Sequence, residues 1–190
     1  TQDGRPGIDA RGIMSVESIL FSKYLMYKSV YWQRTVRSAT AMIKKAVLSL
    51  LTDGIVQPES LYGLDDSGFR SLVLELGRPE SGLVERVFNG HVYSTILETP
   101  FDADRASHME LLDIGGRARL EEGFARDLSV GGPALVPMDI ILDLPEPASF
   151  ETDLPVIDMG LAFRDAPTVF SGDVVPAFAR SLRVLRLFSS

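Results

Sequence analysis

Lys23, Tyr27, Tyr31 and Arg34 follow one another at spacings of four, four and three residues, in a stretch without glycine or proline. On an α-helix these side chains, with Lys45 further along, fall within about 80° of one another. Lysine offers a point charge, arginine a forked set of donors, and tyrosine a hydroxyl and a flat face. A polyphosphate takes several such donors at close spacing, and a sugar or nucleobase leans on an aromatic ring. The same face also suits a solvated basic surface whose tyrosines pack at a subunit or domain contact. Arg37 points about 60° outside the face by helical geometry. Its loss is expected to matter far less to a bound ligand than the loss of Arg34.

From Ser18 to Thr52 the basic residues are Lys23, Lys28, Arg34, Arg37, Lys44 and Lys45, and all 26 acidic residues lie elsewhere. The chain as a whole carries −7. That balance disfavours nucleic acid held on a broad basic surface and leaves a local positive field suited to a small anion. The alternative is a basic helix face that pairs with acidic neighbours.

Other chemistry is sparse. His91 and His108 have no carboxylate or second histidine at a metal-binding spacing, so both are expected at the surface or in packing. Asp65, Asp66, Asp102, Asp104, Asp139 and Asp143 form no recognisable acid–base couple, and most are expected to be solvated. Gly115-Gly116 and Gly131-Gly132 match neither a P-loop nor a dinucleotide pattern, and no serine sits in G-x-S-x-G. With no cysteine, disulfides, cysteine zinc sites and a thiol nucleophile are excluded. The residues supply a candidate binding face, but no catalytic group and no metal site.

The elements that must position this face begin with Ser15 as a helix cap and Glu17 in the first turn. Phe21, Leu25, Trp32, Val36, Ala39, Ile43, Val47 and Leu50 form an apolar stripe. The pattern predicts one long helix, or two with a kink near Tyr31 to Arg34, stopped by Asp53-Gly54. Thr1 to Ile8 reads as turn-rich, the end of a hairpin. Short helices are expected over 64–76 and 81–88, an extended passage over 92–97, and a helix from Asp102 interrupted by Gly115-Gly116. After Gly131-Gly132-Pro133 the character changes. Strand-like runs cover 136–144 and 154–163, a helix with Pro176 in its first turn covers 173–180, and a last strand covers 182–188. This is an α+β pattern, mainly helical over its N-terminal two-thirds, with a small, mostly antiparallel sheet toward the C-terminus. Its expected division is 1–130, helical, and 131–190, a small α+β part.

No apolar run approaches the roughly 18 residues that span a bilayer, and no signal-peptide pattern is present. A cytoplasmic protein without a membrane partner is expected. The opening Thr1-Gln2-Asp3-Gly4 reads like the middle of a longer protein.

The stretch Gly12 to Val36 resembles a segment of HD-superfamily phosphohydrolases, relatives of the deoxynucleoside triphosphate triphosphohydrolases. In that family G-x-x-x-(V/I)-E leads into a helix reading roughly R-x-x-M-(Y/F)-x-x-V-Y-x-H-K-T. Here Gly12, Val16 and Glu17 match the start; Met26, Tyr27, Val30, Tyr31 and Thr35 match the helix. Lys23 takes the family's arginine place, Gln33 its histidine and Arg34 its lysine. More loosely, Ile140 to Pro145 and the closing Arg-Val-Leu-Arg run are similar to later family strands. The resemblance implies the C-terminal, substrate-wall and oligomerisation part of a metal-dependent enzyme acting on nucleoside triphosphates or related phosphate esters. Substrate contacts would fall to Lys23, Tyr27, Tyr31, Gln33 and Arg34. The divalent metal would be held by an H…HD…D set outside this chain, and the partners would be a nucleotide and a second copy. The chain alone would be inactive. The alternative is a regulatory module that binds a nucleotide or nucleic acid without hydrolysis.

Overall fold

The computed structural model describes residues 6–130, 132–150 and 153–190. The expected hairpin end at Thr1 to Ile8 lies mostly outside them. In chain order the elements are α1 (Ile13–Met26), α2 (Arg34–Thr52), α3 (Asp66–Glu75), α4 (Pro79–Phe88), β1 (Ser94–Pro100), α5 (Ala106–Met109) and α6 (Ile114–Leu128). β2 (Ile140–Asp143), β3 (Pro155–Val156), β4 (Leu161–Ala162), α7 (Val174–Leu182) and β5 (Val184–Ser189) follow. The class is α+β, with helices dominating the N-terminal two-thirds, as expected.

The chain packs as two compact units, one from residues 1–33 and 145–184 and the other from 34–144 and 185–190. Each is built from two stretches of chain, so neither coincides with residues 1–130 or 131–190. The boundary falls between Gln33 and Arg34, inside the motif that carries the family resemblance.

In the first unit a short 3-10 turn, capped by Asp9, leads into α1 at Ile13. The helix thus starts two residues before Ser15, because the turn already supplies its entry. α1 runs into a π-helical turn over Tyr27–Tyr31. Ile13, Leu20, Trp32, Phe150, Val156, Phe163, Phe170 and Leu182 form the core. β3 and β4 pair antiparallel across a tight turn, where Gly160 has φ +64°, a conformation open to glycine at little steric cost.

In the second unit α2 packs against both α4 and β2. The sheet order is β1-β5-β2, with β2 and β5 antiparallel and Asp143 opposite Arg186. Met42, Ala46, Leu50, Val73, Val84 and Phe188 centre one cluster, and Ile140, Leu142, Leu144, Leu185 and Leu187 another. Because α2 has neighbours on two sides, its buried arc takes in Arg37, Ser38, Ala41, Met42 and Ala46. The expected stripe lies at the edge of that arc: Val36, Ala39, Ile43 and Val47 are only half-buried. The stop after Thr52 is as expected, with Gly54 at φ +68°.

Gly115-Gly116 does not interrupt a helix. The glycines lie in the first turn of α6, behind the Asp113 cap. A Cβ on Gly116 would lie 2.3 Å from the Glu110 carbonyl oxygen, so the pair permits close approach of backbone. The run from Val136 is shortened at its start by a 3-10 turn over Pro137–Asp139.

Candidate functional site

The helical spacing that joined Lys23 to Arg34 and Lys45 is interrupted between them. Tyr27–Tyr31 form a π-helical turn closed by the Trp32 amide, which donates to the Tyr27 carbonyl at 2.9 Å. Such turns are rare and recur at functional positions. Two helices with a kink, rather than one, carry the motif.

Of the basic residues between Ser18 and Thr52, the two in the first unit, Lys23 and Lys28, rest on aromatic rings. Lys23 Nζ lies 5.6 Å from the centre of the Phe150 ring. Lys28 Nζ lies 5.6 Å over Tyr24 and donates to its hydroxyl at 3.3 Å. Tyr24 itself stacks on Phe178 at 4.3 Å. The Tyr27 ring meets Tyr31 edge-on at 5.6 Å and Trp32 at 5.1 Å. Trp32 is buried, whereas Tyr31 is 53% exposed and Gln33 is exposed. Among the described residues no carboxylate pairs with Lys23 or Lys28. A ring face spends none of an ammonium's three N–H donors, so Lys23 keeps its hydrogen-bonding capacity for another acceptor, whereas Lys28 has given one donor to the Tyr24 hydroxyl.

In the second unit three basic residues of the same stretch, Arg34, Arg37 and Lys45, meet carboxylates. Arg34 at the start of α2 donates through Nε to Glu98 Oε2 at 2.6 Å, with Nη2 at 2.5 Å. The other Glu98 oxygen accepts from Arg186 Nε at 3.0 Å, with Nη2 at 2.9 Å. Burial raises the Glu98 pKa, but the Arg34 hydrogen bond and the Arg186 charge outweigh it, so the carboxyl sits below its ordinary range. Arg37 grips Asp143 through Nε at 2.8 Å and through Nη2, and both residues are buried. Lys45 Nζ lies 2.6 Å from Glu121 and also donates to the Pro137 and Ile140 carbonyls. The second Glu121 oxygen accepts from the Leu142 amide at 2.7 Å.

Two expectations are corrected by these contacts. Lys45 is not on a ligand face; it is an internal clamp between α6 and the strand β2. The absence of acidic residues within Ser18 to Thr52 does not leave that stretch unneutralised, because Glu98, Asp143 and Glu121 arrive from later in the chain. Asp143 is an exception among the carboxylates of which most were expected to be solvated, and its pairing makes Arg37, placed outside the ligand face by helical geometry, a buried structural residue. His108 is buried, accepts the Asp102 amide at Nδ1 and stacks on Phe101, while His91 is exposed. That is the packing and surface division expected of the two histidines.

Among the described residues no group of three or more His, Cys, Asp or Glu side chains is placed to hold a metal ion. The described residues therefore do not fit the divalent metal that the resemblance implies. No described helix is long and apolar enough to cross a membrane.

The α+β fold is shared along 100% of this chain with the crystal structure of a phosphohydrolase from Bacteroides thetaiotaomicron, at a TM-score of 0.58 and 15% identity. The chain spans 53% of that protein. Residues 1–164 match the HD associated region, and the chain belongs to that family. An uncharacterised protein of Methanocaldococcus jannaschii is 34% identical over 91 residues, which cover 48% of this chain and 20% of that protein.

Proposed function

We propose that this chain is the substrate-wall and oligomerisation part of a metal-dependent HD phosphohydrolase acting on nucleoside triphosphates or related phosphate esters. Lys23 and Arg34 supply cationic donors to the phosphates. Tyr27, Tyr31 and Gln33 present rings, hydroxyls and an amide to the sugar or base. The metal is held by residues of the longer protein and not by this chain.

The observation that carries the reading is the motif itself, Lys23 to Thr35, within a chain of the HD associated family. Its support in the geometry is the contrast between committed and spare donors. Lys23 has spent none on a described carboxylate, and Arg34 has spent one edge while its side chain stays 70% exposed. The oligomer reading is supported by Met14, Ile19, Phe21 and Leu25, all well exposed on α1. Farther along the expected stripe, Trp32 and Leu50 are buried.

The test is kinetic. In the full-length protein Arg34→Ala should lower kcat/KM for a deoxynucleoside triphosphate by about one to two orders of magnitude, the worth of a charge-assisted hydrogen bond. An unchanged kcat/KM overturns the assignment of Arg34. The 190-residue chain should turn over no nucleotide with manganese or magnesium, since phosphoryl chemistry of this class needs its metal ligands. Nucleotide cleavage by the purified chain would contradict this.

A further inference from the structure

Arg186 on β5 is 5% exposed, and among the described residues its guanidinium bonds to Glu98. Its Nη1 has no hydrogen-bond partner among the described residues. A buried guanidinium with an unspent donor is costly, and such a group calls for an explanation in what it holds. Asp143 stands opposite it in the β2–β5 register, but Arg37 already takes both Asp143 oxygens. Arg186 is thus committed to one task, fixing the Glu98 carboxylate from behind.

Glu98 in turn takes Arg34 through Nε and Nη2 on a single oxygen. A guanidinium carries five N–H donors in a rigid plane, so this grip fixes the plane while leaving the Nη1 edge free. We infer that Glu98 and Arg186 are positioning residues for anion binding, which preset the Arg34 fork to receive a phosphate oxygen pair. The arrangement replaces the rotamer freedom of an exposed arginine with a held orientation, so less entropy is lost when the phosphate arrives. This rests on the reading above that Arg34 meets a phosphate.

Glu98→Gln separates positioning from simple charge. Removing a negative group beside Arg34 should strengthen anion binding if Glu98 is only a counter-ion. If Glu98 positions Arg34, the weaker grip of a neutral amide should instead weaken it. The measurement is the calorimetric affinity of the chain for inorganic triphosphate, with thermal unfolding recorded beside it. Glu98→Gln should weaken binding about fivefold to tenfold, the order of immobilising one freed arginine side chain and less than the loss of Arg34 itself. Glu98→Asp, which keeps the charge but withdraws the carboxylate, should weaken it similarly and guards against a folding failure of the first variant. Unchanged or tighter binding in a folded Glu98 variant overturns the positioning role. Arg34→Ala distinguishes the two layers of the argument. If it leaves triphosphate affinity unchanged, the phosphate reading of Arg34 itself has failed; if it weakens binding and the Glu98 variants do not, only the positioning role has.

Discussion

Basic residues of one uninterrupted acid-free stretch meet two different fates. In the first unit Lys23 and Lys28 lie over the rings of Phe150 and Tyr24. In the second unit Arg34, Arg37 and Lys45 are paired with Glu98, Asp143 and Glu121. A ring face holds an ammonium weakly and spends no donor, the half-buried Glu98 takes only one edge of Arg34, and the buried Asp143 and Glu121 hold Arg37 and Lys45 within the packing. Charge patterning along a sequence therefore marks where cations are, and only the packing decides which of them remain open to a ligand.

The contrast breaks most visibly at Arg37. Arg37→Ala leaves Asp143 buried without its partner, and an unpaired buried charge costs about 3–5 kcal/mol. Thermal unfolding should shift down by about 10 °C, given the few degrees per kcal/mol expected for a chain of this size. A loss below 1 kcal/mol would show that water reaches Asp143 and that the pair is not a structural clamp. Lys45→Met should cost somewhat less, about 2–3 kcal/mol. It takes the cation from Glu121, which keeps only the Leu142 amide, and removes the ammonium from the Ile140 and Pro137 carbonyls, of which the second still accepts from the Ile140 amide, while a methionine still fills the volume. Denaturant unfolding of that variant checks the value, and wild-type stability would return Lys45 to the exposed face expected from spacing.

Acid sharpens the same comparison. Glu98 has a folded-state pKa below its ordinary range, so it binds its proton more readily unfolded than folded. Its contribution to stability is complete above the ordinary glutamate range and is lost as pH falls through the lowered value. Glu80 is also lowered: burial raises it, and the Ser49 hydrogen bond and Arg78 charge more than offset that. The wild type should accordingly lose stability on acidification below the ordinary glutamate range, and Glu98→Gln should flatten part of that slope. Identical acid profiles would remove Glu98 from the linkage. The smallest effect belongs to Lys44, which is exposed on α2; Lys44→Ala should change stability by no more than about 0.5 kcal/mol.

Much of the fold was legible because local signals agree with it. Asp65 caps α3, Asn89-Gly90 ends α4, and Gly160 turns β3 into β4, each through backbone chemistry carried by a few adjacent residues. The kink near Tyr31 to Arg34 was legible too, although its π-helical form has no signature in composition. The buried arc of α2 was not, because periodicity assumes one apolar side and cannot anticipate a helix packed against both α4 and a strand. The pairings of Arg37 and Lys45 were not legible because their partners lie 106 and 76 residues away, although acidic neighbours for the basic face were the stated alternative. Glu98 had no sequence signal, since an isolated Glu on a half-exposed strand resembles an ordinary surface residue, and Arg186 stood out only as part of the closing Arg-Val-Leu-Arg run, with no role attached.

The proposed division makes Lys23, which rests on a ring, and Arg34, which spends a single edge, the ligand groups, and makes the clamped Arg37 and Lys45 structural. The most direct test is the equilibrium affinity of the chain for a deoxynucleoside triphosphate in the wild type and in Lys23→Ala, Arg34→Ala and Lys44→Ala, each checked for unchanged unfolding. Loss of about tenfold or more for Lys23→Ala and Arg34→Ala, with Lys44→Ala close to wild type, is the predicted result. Equal losses in all three would show long-range charge rather than a site, and no loss in any would show a basic face that binds no phosphate.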